Sequence, residues 1–374
     1  MPRWAALGPR LEHMDPIESP PDALKCSVDI KLRGSPAMPR FFSVVLATLL
    51  ALTGAGAFAQ SLIVDTAGVE QAQQRGAVIW DARGAKDYVA GHIEGAVNLG
   101  FAGDLFRDPV REDPPPPAVA AKLFGDAGID ILHREIVVYG GKGDAMAYFA
   151  ARMVEYYGGK HAKVYHGGID DWKAAGKPMS TQPTKLAPVA LALDSERAGT
   201  LWTDQVIERA RRGGAQLLDV RTTKEFTGDD IRAVRGGHIP GAISIPYEDN
   251  WRDPATPGKL ASRQVTNKDG MALKSTDELR ALYAKLDPNK ETVVYCQSGV
   301  RASETAVVLR ELGFRDVKVY EPSWLGYAGV LSAPVDNEVF VNVGALTGQV
   351  SALQGRVNAL EAELAKLRQG QAPR

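Results

Sequence analysis

The chain contains very little cysteine. Its 374 residues include two cysteines, which excludes a disulfide-rich scaffold and a metal site built from several cysteines. The six histidines show no spacing typical of metal ligands, so we expect no metal. The formal net charge is -1, and the chain therefore lacks the basic excess that marks nucleic-acid binding. Of the two cysteines, Cys26 lies in a proline-rich leader, which leaves Cys296 as a candidate nucleophile.

Long hydrophobic runs are also scarce. The apolar stretch 41–52 is too short to predict a membrane span. An arginine precedes it, and Ala57-Phe58-Ala59 after it is typical of a signal-peptide cleavage site. We interpret residues 1–59 as a leader and signal peptide, with translation beginning at Met38 rather than Met1. The expected location is the periplasm or the cell exterior, without a membrane span in the mature protein; an uncleaved N-terminal anchor is the alternative.

The motif around Cys296 carries the chemistry. Residues 292–295 are a β-branched and aromatic run typical of a buried strand, and 302–312 have apolar positions at helical spacing. A cysteine between a strand and a helix N-terminus is well placed to ionise, because unpaired amides and the positive helix end favour an anion. Small loop residues let the backbone curl around one atom, and Arg301 adds a fixed positive charge. The alternative is a buried structural thiol.

Four residues separate Cys296 from Arg301. Cysteine phosphatases with a strand-loop-helix cradle have a loop one residue longer, so this shorter loop suits one sulfur atom better than a phosphate. Together with Asp219-Val220-Arg221 and Gly-His-Ile-Pro-Gly-Ala at 237–242, the loop resembles the rhodanese family of sulfurtransferases. The resemblance implies that Cys296 is the nucleophile, that Arg301 supports it, and that backbone amides of 297–301 hold its sulfur. The residues expected to contact the substrate are Gln297, Ser298, Gly299, Val300, Arg221 and Trp251.

Several neighbours of this motif have a structural alternative. Arg221 would pair with Asp219, and Trp251 would pack in the core. A charged insertion with Arg232 and Arg235 precedes the 237–242 segment; these arginines would line the substrate entrance or belong to a solvated loop. Both copies of the Gly-His-Ile segment contain a histidine, which we expect to hydrogen-bond the backbone rather than transfer protons.

The chain contains an internal repeat. Residues 61–182 are an approximate copy of 199–335, joined to it by a linker at 183–198. Strands alternate with helical segments, which predicts two α/β domains, each a parallel sheet flanked by helices. The first copy has Gly140 where the second has Cys296, so we predict an inactive first domain and a catalytic second one. The first domain would pack against the active one, or bind an anion or a partner through 140–142.

Residues 339–370 depart from the family pattern and follow a strict heptad. The apolar positions are Val343, Val350, Val357 and Leu364 at a, and Leu346, Leu353, Leu360 and Leu367 at d. Valine at a with leucine at d favours a parallel two-stranded coiled coil. We predict a C-terminal coiled-coil helix that makes the protein a homo-oligomer; one amphipathic helix docked on its own domain is the alternative.

The resemblance implies a sulfurtransferase with one active site and no cofactor, and the predicted signal peptide indicates that it is exported. Cys296 is expected to take the sulfane sulfur of thiosulfate, or of a similar small anion, as a persulfide and to pass it to cyanide or a thiol. The charge of Arg301 favours thiosulfate as the donor, with 3-mercaptopyruvate as the alternative. A non-catalytic sulfur carrier or scaffold, and a cysteine phosphatase disfavoured by the loop length, remain further alternatives.

Overall fold

The computed structural model describes residues 61–108, 112–194 and 199–370. The predicted leader and signal peptide at 1–59, which include Cys26, lie outside the described residues, as does the end of the predicted linker at 195–198. Within the described ranges, no helix is both long and apolar enough to cross a bilayer. The same ranges hold no group of three or more His, Cys, Asp or Glu side chains that could bind a metal ion.

The first domain is a parallel sheet of five strands with short flanking elements. Its strands are β1 (Ile63–Val64), β2 (Val78–Asp81), β3 (His92–Ile93), β4 (Val97–Asn98), β5 (Ile136–Tyr139), β6 (Ala162–Tyr165) and β7 (Met179–Ser180). Its helices are α1 (Thr66–Gln74), α2 (Ala85–Ala90), α3 (Ala102–Leu105), α4 (Pro117–Asp126), α5 (Ala145–Tyr156) and α6 (Gly168–Ala174). The strand order is β1-β6-β5-β2-β4, and β3 pairs with β7 in a separate antiparallel ribbon.

Both faces of this sheet are covered, because successive side chains of a strand point to opposite faces. In β5, Ile136 and Val138 enter one hydrophobic cluster, whereas Val137 and Tyr139 enter another. All four residues of β5 are buried, as a continuous apolar run predicts for a central parallel strand.

The second domain repeats this arrangement. Its strands are β8 (Thr200–Leu201), β9 (Gln216–Asp219), β10 (Arg235–His238), β11 (Ile243–Ser244), β12 (Thr292–Tyr295), β13 (Val317–Tyr320) and β14 (Asp336–Phe340). Its helices are α7 (Thr203–Arg212), α8 (Thr223–Thr227), α9 (Thr256–Ala261), α10 (Thr276–Leu282), α11 (Val300–Glu311) and α12 (Ser323–Gly329), followed by the C-terminal α13 (Val343–Gly370). The sheet order is β8-β13-β12-β9-β11, all parallel.

The two sheets have the same strand order, since β8, β13, β12, β9 and β11 follow one another as β1, β6, β5, β2 and β4 do. The small ribbon is repeated too, with β10 antiparallel to β14 as β3 is to β7. The predicted fold class is therefore confirmed: two α/β domains related as a repeat, with a helix at the C-terminal end. Whether that helix forms a coiled coil stays a prediction.

The domains meet through α5 and α11, which pack against each other. Val307 of α11 joins the hydrophobic core of the first domain. Arg152 on α5 donates to the hydroxyl of Ser303 at 2.9 Å, and Arg310 pairs with Glu155 at 2.9 Å. The helix that follows the cysteine of the second domain is thus fixed by the first domain.

Candidate active site

Cys296 lies at the carboxyl end of β12, the middle strand of the second sheet. The cysteine loop, residues 296–301, turns from this strand into α11. The turn requires Gly299, which has φ +85° in the left-handed region. A Cβ atom there would lie 2.9 Å from the carbonyl oxygen of Glu321 and 3.2 Å from Nη2 of Arg107, so the loop has no room for a side chain at this position.

The backbone of the cysteine loop faces the sulfur. The N–H of Gly299 donates to Sγ of Cys296 at 3.2 Å. The cysteine is 1% exposed and shares a core with Val294 and other apolar residues of the same sheet face. Burial alone would suit the structural-thiol alternative, but a structural thiol requires neither an amide donor nor a neighbouring guanidinium. Ser298 and Val300 are partly exposed, and Val300 packs against the hydrophobic core of the first domain.

The turn after β13 holds the cysteine loop from the other side. The hydroxyl of Ser323 accepts from the N–H of Cys296 at 3.2 Å, and the N–H of Trp324 donates to the Cys296 carbonyl at 3.0 Å. Ser323 has φ +49°, whereas its counterpart in the first repeat is Gly168 with φ +53°. A side chain in this conformation is strained. The second repeat therefore places a hydroxyl against the cysteine amide at a position where the first repeat has glycine.

Arg301 is held by a buried carboxylate. Its guanidinium makes two parallel bonds to Glu225, at 2.7 and 2.8 Å. Burial alone would lower the pKa of Arg301, but the hydrogen bonds to Glu225 and the charges of Cys296 and Glu225 raise it above its ordinary value. Burial would likewise raise the pKa of Glu225, but the bonds to Arg301 and the Thr222 amide lower it to about 2. The pair stays ionised and fixes Arg301 beside the thiol.

A second arginine approaches the same carboxylate from solvent. Arg232 lies 3.2 Å from Glu225 through Nη1, and its side chain is 53% exposed. Its carbonyl accepts from the side-chain amide of Gln297 at 2.7 Å, which ties the charged insertion to the cysteine loop. Two guanidinium groups share one carboxylate here, and the carboxylate of Glu248 also interacts with Arg301.

The other arginine of that insertion does not line an entrance. Arg235 is 1% exposed and bonds to the carbonyl oxygens of Ala328 and Val330 and to the carboxylate of Glu338. These bonds engage all three guanidinium nitrogens with acceptors of the protein itself, so the side chain is not available to a ligand that enters from solvent. The entrance interpretation of Arg235 is therefore wrong, and the residue instead attaches β14 to the body of the second domain.

Arg221 and Trp251 make the structural contacts that we considered as alternatives to substrate binding. Arg221 is 1% exposed and pairs with Asp219 at 2.6 Å, with its guanidinium carbon 4.5 Å from the centre of the Trp324 ring. Trp251 is also 1% exposed and donates from Nε1 to Glu304 at 2.9 Å. The ion pair and the packing are confirmed, whereas direct substrate contact stays a prediction for both residues.

The two histidines contact backbone carbonyl groups, as the sequence predicts. His92 lies 2.8 Å from the carbonyl of Tyr88 through Nδ1 and stacks on the Tyr88 ring. His238 lies 2.9 Å from the carbonyl of Phe226 and stacks on the Phe226 ring. These contacts connect the short strands β3 and β10 to the helices that precede them.

An ion cluster between the domains lies behind the cysteine loop. Its members are far apart in the chain, so no local sequence pattern predicts it. Glu321 is completely buried next to Ser323 and lies 2.5 Å from Arg152 and 3.7 Å from Arg107. Both arginines belong to the first domain. Alignment of the two repeats draws attention to Ser323, because its counterpart is Gly168. It does not indicate the three charged residues of the cluster.

The first domain keeps the backbone of the loop but fills it with its own carboxylate. Gly143 has φ +70°, as Gly299 has φ +85° in the cysteine loop. A Cβ at Gly140 would lie 2.5 Å from Oδ2 of Asp144, so this carboxylate occupies the space of the missing cysteine side chain. Burial raises the pKa of Asp144. The amide of Lys142 is already engaged by Asp170, at 2.7 Å. These contacts favour the packing role of the first domain over anion binding.

The chain has two parallel-sheet domains in tandem and one cysteine in a strand-loop-helix turn. This arrangement is typical of a class of proteins that handle sulfur, and comparison with known proteins places the chain in the same class. The family described as rhodanese-like domain matches residues 66–175 and 203–329. A thiosulfate sulfurtransferase of Corynebacterium glutamicum is 33% identical over 270 residues, 67% of this chain and 81% of the relative. The sulfur carrier protein TtuD of Thermus thermophilus is 32% identical over 66% of this chain and 86% of its own.

A solved structure, 3-mercaptopyruvate sulfurtransferase from Leishmania major, shares the fold with a TM-score of 0.61. It is 22% identical and covers 75% of this chain and 78% of its own. The chain therefore belongs to the rhodanese-like family of sulfurtransferases.

Replacing Glu225 with glutamine tests the arginine clamp. The variant leaves a buried guanidinium without its counter-charge, so we expect the free energy of unfolding at neutral pH to fall by about 3 kcal/mol. Because the pKa of Glu225 is depressed to about 2, its stabilising effect is complete above the ordinary glutamate pKa and is lost as the pH falls toward 2. The difference between wild type and variant in urea unfolding should therefore shrink over that range.

Glu208→Gln is the matched control, since Glu208 forms an exposed pair with Arg212 on α7. Its unfolding curve should follow the wild type at every pH. If Glu225→Gln also followed the wild type, or differed from it by a constant amount down to pH 2, the clamp would not exist as described.

Proposed function

We propose that the protein transfers a sulfane sulfur from thiosulfate, through a persulfide on Cys296, to cyanide or a thiol. The observation that carries the proposal is the contact between the Gly299 amide and Sγ in a loop that also places Arg301 beside the thiol. The Gly299 amide and the Arg301 cation are placed to interact with a negatively charged sulfur, and the thiolate is the form of cysteine that attacks a donor.

The reaction has two displacements. The Cys296 thiolate attacks the outer sulfur of thiosulfate, the sulfur–sulfur bond of the donor breaks, and sulfite leaves with the electron pair. The acceptor then attacks the outer sulfur of the persulfide, and the thiolate returns to its starting state. No net oxidation occurs and no cofactor is required. The amides of 297–301 are expected to stabilise the charge that stays on the transferred sulfur.

The charges of the site have separate roles. Arg301 is engaged by Glu225 in two hydrogen bonds, so it supports the thiolate from a fixed position rather than moving to a ligand. Arg232 is half exposed and shares the same carboxylate at a longer distance, which leaves it able to turn toward an incoming anion. Arg232 therefore serves as the cation that draws the donor to the opening of the loop.

Thiosulfate is the preferred donor for two reasons. A divalent anion suits the half-exposed guanidinium of Arg232, and the relative from Corynebacterium glutamicum bears the name thiosulfate sulfurtransferase. The alternative donor is 3-mercaptopyruvate. A sulfur carrier is a second candidate function, favoured by the burial of Cys296 and by the name of the relative from Thermus thermophilus. From the signal peptide that the sequence predicts, we also propose a place in the periplasm or outside the cell.

Rapid mixing of the protein with one equivalent of each donor should show faster sulfur loading with thiosulfate than with 3-mercaptopyruvate. Repeated turnover with cyanide, measured as thiocyanate, should then exceed one equivalent per chain, because an enzyme regenerates its thiolate. A strong preference for 3-mercaptopyruvate would overturn the donor assignment. Loading without turnover would establish the carrier instead, and hydrolysis of an aryl phosphate would revive the phosphatase.

Arg232→Gln should raise the KM for thiosulfate about five-fold and leave kcat nearly unchanged, because it removes one charge from the opening but none from the loop. The effect should shrink as ionic strength rises. Arg212→Gln is the matched control, since Arg212 is an exposed arginine on α7 whose loss should change neither constant. An unchanged KM in Arg232→Gln would show that the donor does not meet this side chain.

A further inference from the structure

The C-terminal helix α13 exposes one continuous apolar stripe. All eight a and d residues of the heptad are between 46% and 64% exposed. They account for eight of the fourteen large apolar side chains that the structure shows as exposed in the described residues. Soluble proteins rarely leave so long an apolar surface open unless it has a partner. No residue of the described globular domains covers the stripe.

The shape of the stripe fits another helix rather than a flat surface. Its residues recur strictly at a and d over 28 residues of helix, about 42 Å in length. A seam of that width is typical of coiled coils, whereas a helix docked on a globular face has a wider apolar surface. Valine at three of the four a positions, with leucine at every d position, favours two strands.

The charges beside the stripe identify the partner and its direction. Arg356 and Glu363 occupy g positions, and Glu361 and Arg368 occupy e positions. In a parallel coiled coil, each g residue meets the e residue five positions further along the other chain. Arg356 of one copy then faces Glu361 of a second copy, and Glu363 faces Arg368. Both pairs join opposite charges, and each pair occurs twice in the dimer because the two chains are related by symmetry.

The opposite direction brings like charges together. In an antiparallel pair with full overlap, Val343 of one copy lies opposite Leu367 of the other. Residues at g then face residues at g, which sets Arg356 against Arg356 of the second copy. None of the four charged flanking residues gains an opposite charge in that arrangement, so the flanking charges discriminate against it.

We propose that α13 is the docking surface for a second copy of this chain and that the two helices pair in parallel and in register. The pairing continues into the globular part, because Val339, Phe340 and Val234 are exposed at the base of the helix. The base itself is rigid, since β14 pairs with β10 and is attached by Arg235. A parallel pair therefore brings both second domains to the same end of the coiled coil.

Glycines on the outer face couple formation of the helix to pairing. Gly344, Gly348 and Gly355 occupy b and f positions, which do not contact a partner. Each weakens an isolated helix relative to alanine. The helical signal of α13 in circular dichroism should thus fall on dilution, together with the fraction of dimer.

Sedimentation velocity on the full chain tests the partner. A dimer of twice 40.2 kDa is expected at micromolar concentration, and the double variant Leu353→Ser/Leu360→Ser should sediment as a monomer that keeps its sulfurtransferase activity. Retained activity shows that the domains are folded. A wild type that stays monomeric, forms a trimer, or binds anionic lipid vesicles through α13 in place of dimerising would overturn the proposal.

Charge variants test the direction. Arg356→Glu should raise the dissociation constant of the dimer about ten-fold, because it turns two attractive pairs into repulsive ones. Arg356→Glu/Glu361→Arg should restore wild-type affinity in a parallel pair, whereas an antiparallel pair would keep glutamates facing each other at 356. Failure of the double variant to restore affinity would contradict the parallel arrangement.

Disulfide cross-linking tests the direction and register of the two helices independently. With Cys26→Ser and Cys296→Ser as the background, Val350→Cys alone should form a disulfide-linked dimer on mild oxidation, because position 350 meets its own copy in register. In the antiparallel pair, position 350 meets position 360, so only Val350→Cys combined with Leu360→Cys would link efficiently. That second pattern would overturn the register.

Discussion

The contact between the Gly299 amide and the Cys296 sulfur depends on a loop held from three directions. The turn at Ser323 bonds the cysteine amide and carbonyl, Glu225 holds Arg301, and the side chain of Gln297 bonds the carbonyl of Arg232. Each constraint comes from a different segment of the second domain. A loop fixed in this way keeps the Gly299 amide directed at the sulfur. Under the proposed function this amide would need no reorganisation during the reaction, which is the basis of electrostatic stabilisation by a preorganised site.

The two repeats differ in what fills the loop at the end of the central strand. They share strand order, the left-handed glycine in the loop, and an amide from the following turn that bonds the residue at the end of the strand. The first repeat places Asp144 where a cysteine side chain would lie, so this position has a carboxyl group in place of the thiol. The first domain has kept its packing surface, and it supplies Arg107 and Arg152 to the cluster behind the cysteine loop.

Local patterns predicted most of the fold and the centre of the site. Alternating strands and helices, the repeat, the loop around Cys296 and the heptad tail are all visible in short stretches of sequence. The backbone role of His92 and His238 follows from a local segment as well. Ion pairs between residues that are far apart in the chain were not predictable from local patterns. Nothing near Glu321 indicates two arginines from another domain, and nothing near Arg235 indicates that β14 would bury it. These features depend on how distant segments pack.

The central claim is that a single thiol in this loop carries one sulfur atom. Intact-mass measurement after incubation with thiosulfate, and again after addition of cyanide, tests it most directly. The account predicts that the wild-type chain gains the mass of one sulfur atom and loses it to cyanide, and that Cys296→Ser never gains it. A wild type without the added mass, or a Cys296→Ser chain that acquires it, would contradict the account.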